Sequence, residues 1–325
     1  MIPERDERPT SDADVRASAA ADSTRVPWAA VGVFAAVAFG LAWLVALPLW
    51  FGDGLASPLA GVILTTMMFA PAVATLVVTF ALRKPAGGQR LRALGMWPLR
   101  PVGRTVAFAV AAIFVPPLII GVAVVVSAAL GLVRLDLEGF SGLASQLEQS
   151  GVDPTGIPMA AIAISQLVSI PIGAVINSVF AFGEELGWRG WLLNALRPLG
   201  TWPALLVSGA MWGLWHAPVI LLGYNFARPD LLGVLLMVGG CVAWGVLLGW
   251  SRLRTGSVWP AVLGHGAINA AAGLLIVFAA AGQPLDAAIV GPLGVVVWGV
   301  LALVVGILVL AGQFRRGALE PPAAG

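Results

Sequence analysis

Charge is scarce in this sequence. Asp, Glu, Lys and Arg make up 10% of its 325 residues, hydrophobic residues make up 59%, and the mean hydropathy is +0.94. A water-soluble domain does not carry so little charge over so much apolar surface, so the composition implies an all-α polytopic membrane protein. Cysteine is nearly absent as well. The single Cys241 excludes an internal disulfide and a cysteine-cluster metal site, and reads as a small packing residue. There are two histidines, His216 and His265, and no HExxH, so the two-histidine helix of a zinc protease is missing. Neither a GxSG nucleophile nor paired aspartates stand within an apolar segment. The sequence pI of about 9.3 does not point to nucleic acid, because the basic residues fall mainly between apolar segments, where topology accounts for them.

What is present is a series of apolar windows, each long enough to cross the hydrocarbon core as helix. They fall at 28–50, 57–82, 104–132, 160–183, 202–223, 231–250, 257–280 and 288–312, which predicts about eight transmembrane helices. With both termini cytoplasmic, only Arg134 and Arg228 of the 18 Lys and Arg residues fall outside, as the positive-inside rule requires. The parts of the chain are then a disordered cytoplasmic tail (1–26), three accessory helices (27–135), an outer loop with an amphipathic helix or a packed loop (136–157), a core (158–282), an eighth helix (283–312) and a cytoplasmic tail (313–325). The N-terminal tail lacks a basic n-region, so the first apolar segment is expected to stay as an anchor in the cell membrane. The basic stretch 83–101 reads as a topology-setting loop, with contact to anionic lipid as the alternative. Gly240, Gly245 and Gly249 suit close helix packing.

Against this background five ionisable or metal-ligating groups are out of place: Glu184, Glu185, Arg189, His216 and His265. A charge at mid-bilayer costs roughly 3 kcal/mol on insertion scales, so such groups face a bundle interior for a reason. Pro171 is expected to interrupt the fourth segment, with helix continuing to about Leu196. On that basis Glu184 and His216 lie roughly 18 and 21 Å from the cytoplasmic side, and His265 and Asn269 roughly 12 and 18 Å. Glu185 and Arg189 have the i, i+4 spacing of an ion pair, which leaves Glu184 turned elsewhere. His265 and Asn269 share one face in the same way. Three spans, 4, 5 and 7, can thus meet at a polar cavity. Taken singly, the ion pair reads as structural and Asn269 as interhelical glue; their common depth points to a site.

A carboxylate with two imidazoles suits hydrolysis, either metal-assisted or by direct activation of water. The runs EELGWRG (184–190), WGLWH (212–216) and HGAIN (265–269) resemble, in order, the EExxxR, FxxxH and HxxxN motifs of the CAAX protease and bacteriocin-processing family, which includes Rce1-like intramembrane endopeptidases. Trp212 stands where that pattern has Phe. The resemblance covers about residues 170–280. It implies that Glu184 and His216 activate water, that His265 and Asn269 stabilise the oxyanion, and that Glu185 and Arg189 support the site. No cofactor is expected on the glutamate-type reading; zinc held by Glu184, His216 and His265 is the alternative. The implied partner is a membrane-associated protein or peptide, CAAX-type or not. The competing readings are a transporter or a scaffold or immunity protein using the same polar network.

Overall fold

Backbone polar groups inside a bilayer have no water to bond, so apolar runs must satisfy their own N–H and C=O groups as helix. The computed structural model describes residues 25–85, 88 and 90–319, and among these residues the architecture is helical, with one isolated β-bridge between Leu135 and Ala279. The tail expected at 1–26 lies almost wholly outside the described residues, as does the end of the tail expected at 313–325.

Numbered in chain order, α1 is Trp28–Phe51, α2 Ala60–Ala81, α3 Val102–Ala129, α4 Ser141–Gln149, α5 Met159–Leu199, α6 Thr201–Trp215, α7 Ala217–Ile220, α8 Leu231–Thr255, α9 Trp259–Ala270, α10 Leu274–Phe278, α11 Ala287–Val290 and α12 Val295–Leu310. Among the described residues six helical stretches are long and apolar enough to cross a membrane: α1, α2, α3, α5, α8, and α11 with α12. The windows at 202–223 and 257–280 are each divided. The first breaks at His216, two residues before Pro218, and the second breaks between Ala270 and Leu274.

The expected break at Pro171 is absent. Helix α5 carries this proline within its α-helical part, Met159–Glu185, then widens into π-helical turns over Leu186–Leu192 and reaches Leu199. Its first half is apolar and outward-facing, with Val168, Ile172, Ile176 and Val179 all exposed. From Gly183 to Leu193 every residue is buried. The change of environment falls on the EELGWRG run.

Glycine allows the helices around that run to approach closely. A Cβ at Gly213 would come within 2.4 Å of Val238 Cα on α8, and one at Gly266 within 2.3 Å of the Ala174 carbonyl on α5. Phe34, Trp188 and Trp215 join α1, α5 and α6 in an aromatic core.

The basic stretch is a packed floor. Arg252 donates to the carbonyls of Arg189 and Ala93, the Trp259 indole donates to Met96, and Val258 N–H donates to Gly95. At the opposite end, α4 packs Leu143 with Ala163 and Val277, so the outer segment is a short helix seated on the bundle.

Candidate active site

Glu184, Glu185 and Arg189 sit at the junction between the α- and π-helical parts of α5, with 2%, 0% and 1% of their surfaces exposed. Glu185 Oε1 accepts from Arg189 Nη1 at 2.6 Å, the pair expected from the i, i+4 spacing. The same oxygen accepts from His265 Nδ1 at 2.9 Å. Glu185 therefore joins α5 to α9 as well as neutralising the arginine. Gly245 leaves room for this arginine, since a Cβ there would stand 3.1 Å from Nη2.

Both histidines have a defined orientation. An ionised carboxylate and a carbonyl only accept, so the nitrogen facing either one carries the hydrogen. For His265 that nitrogen is Nδ1, facing Glu185. For His216 it is also Nδ1, held 2.9 Å from the Trp212 carbonyl. In each ring Nε2 is left for other partners. His216 caps α6 where Pro218 prevents its continuation, and His265 and Asn269 project from α9 one turn apart.

Glu184 has a partner that the sequence did not suggest: its Oε2 accepts from the Trp212 indole N–H at 2.6 Å. The spacing contained a signal, because Trp212 lies four residues before His216 and so on the same helical face. The indole ring also carries the Arg189 guanidinium 4.3 Å above its centroid and meets His265 edge-on at 5.1 Å.

A cavity of about 420 Å³ has Glu184, Trp212, His216, His265 and Asn269 in its wall, while Glu185 and Arg189 stand behind it. It extends away from the basic floor, toward Gly61, Tyr224 and Pro292. Asn269 is exposed to this space although it lies in an apolar helix. Tyr224, the only tyrosine of the chain, lines the same cavity; it follows the helix break in an irregular turn, where periodicity gave no reason to single it out. A GxSG tetrapeptide does occur at Gly139–Gly142, but in the outer segment, where Ser141 Oγ accepts from the Ala281 N–H. It takes no part in this cavity.

The arrangement has the parts of a water-activating site: a carboxylate, two imidazole nitrogens and a carboxamide around one space. Glu184, His216 and His265 are of the types that form a two-histidine, one-carboxylate zinc site, but among the described residues no three or more His, Cys, Asp and Glu side chains are grouped closely enough to hold a metal ion as placed.

Residues 164–271 match the family model for type II CAAX prenyl endopeptidase Rce1-like proteins. The resemblance to Rce1-like proteins is confined to this core. The matched segment runs from within α5 to the end of α9 and contains Glu184, Glu185, Arg189, His216, His265 and Asn269. The long apolar helices are those of an integral-membrane protein, and the family match is to intramembrane CAAX-type proteases. No curated protein matches the chain.

Proposed function

We propose that this Rce1-like protein is an intramembrane endopeptidase that hydrolyses a peptide bond of a membrane-associated protein or peptide with water activated by Glu184 and His216. The observation that carries the reading is the meeting of Glu184, His216, His265 and Asn269, from three separate stretches of helix, around one cavity.

Water between Glu184 and His216 Nε2 gives up a proton to them as its oxygen attacks the scissile carbonyl. The carbonyl oxygen becomes an oxyanion, stabilised by the Asn269 N–H groups and by His265 when Nε2 also carries hydrogen. Glu185 then faces a positively charged imidazole as well as Arg189, and the two carboxylates and two cations sum to zero, which limits the cost of the site in lipid. Collapse of the tetrahedral adduct breaks the C–N bond, and the proton taken from water passes to the leaving amine. No metal is needed for any of these steps.

The charge distribution orients both termini and the basic floor toward the cytoplasm, in the cell membrane. The cavity then faces the other way, and the substrate segment reaches the site from within the bilayer or from its outer side. The family points to prenylated CAAX-type peptides for the first trial, alongside unmodified membrane peptides.

The test uses purified protein in vesicles, these peptides, and water enriched in ¹⁸O. One new carboxyl terminus carrying the label supports the proposal, and cleavage undiminished by chelator supports the metal-free route. Gly61, on the cavity wall with nothing within 4 Å of an added Cβ, supplies the control. Gly61→Trp should fill the cavity and lower kcat/KM by roughly tenfold or more. Absence of cleavage by the wild type, or loss on chelation with recovery on added zinc, would overturn the corresponding claim.

A further inference from the structure

We propose that Trp212 is a positioning residue that fixes Glu184 and links it to Arg189. The inference rests on the peptidase reading and adds a residue to its machinery. Trp212 is 3% exposed, and each part of it meets a different site group. Its N–H donates to Glu184 Oε2 at 2.6 Å, its face holds Arg189, its ring meets His265 in a T-shaped contact, and its backbone carbonyl accepts from His216 Nδ1. One side chain, with its own peptide carbonyl, therefore orients both groups assigned to water activation.

The physical consequence follows from the rigidity of the ring. A carboxylate attached to a helix by two methylenes samples several rotamers; a charge-assisted bond from a buried indole selects one and leaves Oε1 for water. The guanidinium over the ring attracts its π electrons, which makes the N–H a stronger donor to the carboxylate. Arg189 reaches Glu185 directly and Glu184 through the indole. The two carboxylates of the EELGWRG run are in this way held by one cation along two routes.

Face and edge can be separated by substitution. Trp212→Phe keeps a ring beneath Arg189 and removes the donor, whereas Trp212→Leu removes both. For Trp212→Phe we expect kcat to fall by about ten- to a hundredfold, with KM changed by less than about twofold and the thermal midpoint unchanged. Trp212→Leu should also lower the midpoint. Trp250→Phe, which removes an indole donor to the Gln313 carbonyl elsewhere in the protein, controls for generic loss of an indole bond and should leave kcat alone.

Indole ¹⁵N–¹H spectroscopy reads the contact without turnover. The resonance that disappears in Trp212→Phe should shift markedly in Glu184→Gln. A resonance that ignores Glu184→Gln overturns the contact. Unchanged kcat in Trp212→Phe, or a loss matched by a fall in midpoint or reproduced by Trp250→Phe, overturns the positioning role. Absence of turnover in the wild type overturns the peptidase reading instead, and the indole resonance still decides whether Trp212 holds Glu184.

Discussion

Arg189 shows how much of the site depends on a single cation. It is 1% exposed, pairs with Glu185 and lies over the Trp212 ring, so removing it leaves a buried carboxylate without its main counter-charge. Breaking a buried pair in this way costs about 3–5 kcal/mol. Arg189→Ala should therefore lower folded yield and thermal midpoint together with activity. Normal yield with lost activity would instead make Arg189 a participant in the chemistry. The pair itself was legible in the sequence, since i, i+4 geometry is local. The bond from His265 to Glu185 was not, because it joins residues 80 positions apart and depends on how α9 is rotated against α5. Trp212 was visible as an aromatic in the Phe position of a motif, one helical turn before His216; nothing local revealed that its N–H would find Glu184.

At the level of elements, helix packing puts these side chains in reach of one another. Gly213 lies against the α8 backbone, where even a methyl group would meet Val238 Cα at 2.4 Å. Gly213→Val should force α6 away from α8, at a cost of about 1–3 kcal/mol or more, and should reduce activity although Gly213 touches no substrate. An unchanged thermal midpoint would show that the contact is looser than described. Hydropathy located the long helices because mean composition over a span is a strong signal. It could not locate the breaks that matter here. Pro171 remains within helix, where a neighbouring lipid-facing surface gives it room, whereas Pro218 follows a helix end. The same residue type has opposite outcomes because tertiary packing decides whether its freed carbonyl is accommodated. The π-helical turns after Glu185 had no sequence signature at all.

Across the whole molecule, the two faces of the bundle are finished differently. The basic face is closed by the stretch that packs Ala93, Gly95 and Met96 onto α8 and α9. The other face is capped by the outer segment, where Asp136 anchors a turn. Its carboxylate accepts from the N–H groups of Glu138, Gly139 and Ser141, and the Ser141 side chain foremost, then these N–H groups, hold its pKa down at about 2. A carboxylate with a depressed folded pKa stabilises the turn fully above its ordinary value of 3.8 and loses that contribution as pH falls through about 2. Amide exchange at Gly139 and Ser141 should accordingly stay slow down to that ordinary value and accelerate below it; Asp136→Asn should remove this pH dependence. Sequence composition established the membrane class and the uneven charge, but which face the cavity opens toward required the three-dimensional position of Gly61, Tyr224 and Pro292.

The central claim is that Glu184 activates the attacking water. It is tested most directly by comparing single-turnover cleavage of a membrane-embedded peptide by wild-type protein and by Glu184→Gln, a change that keeps size and removes the base. The wild type should release a product with ¹⁸O in its new carboxylate, and Glu184→Gln, folded to the same thermal midpoint, should lose about a hundredfold or more in rate. Equal cleavage by the two proteins would contradict the account.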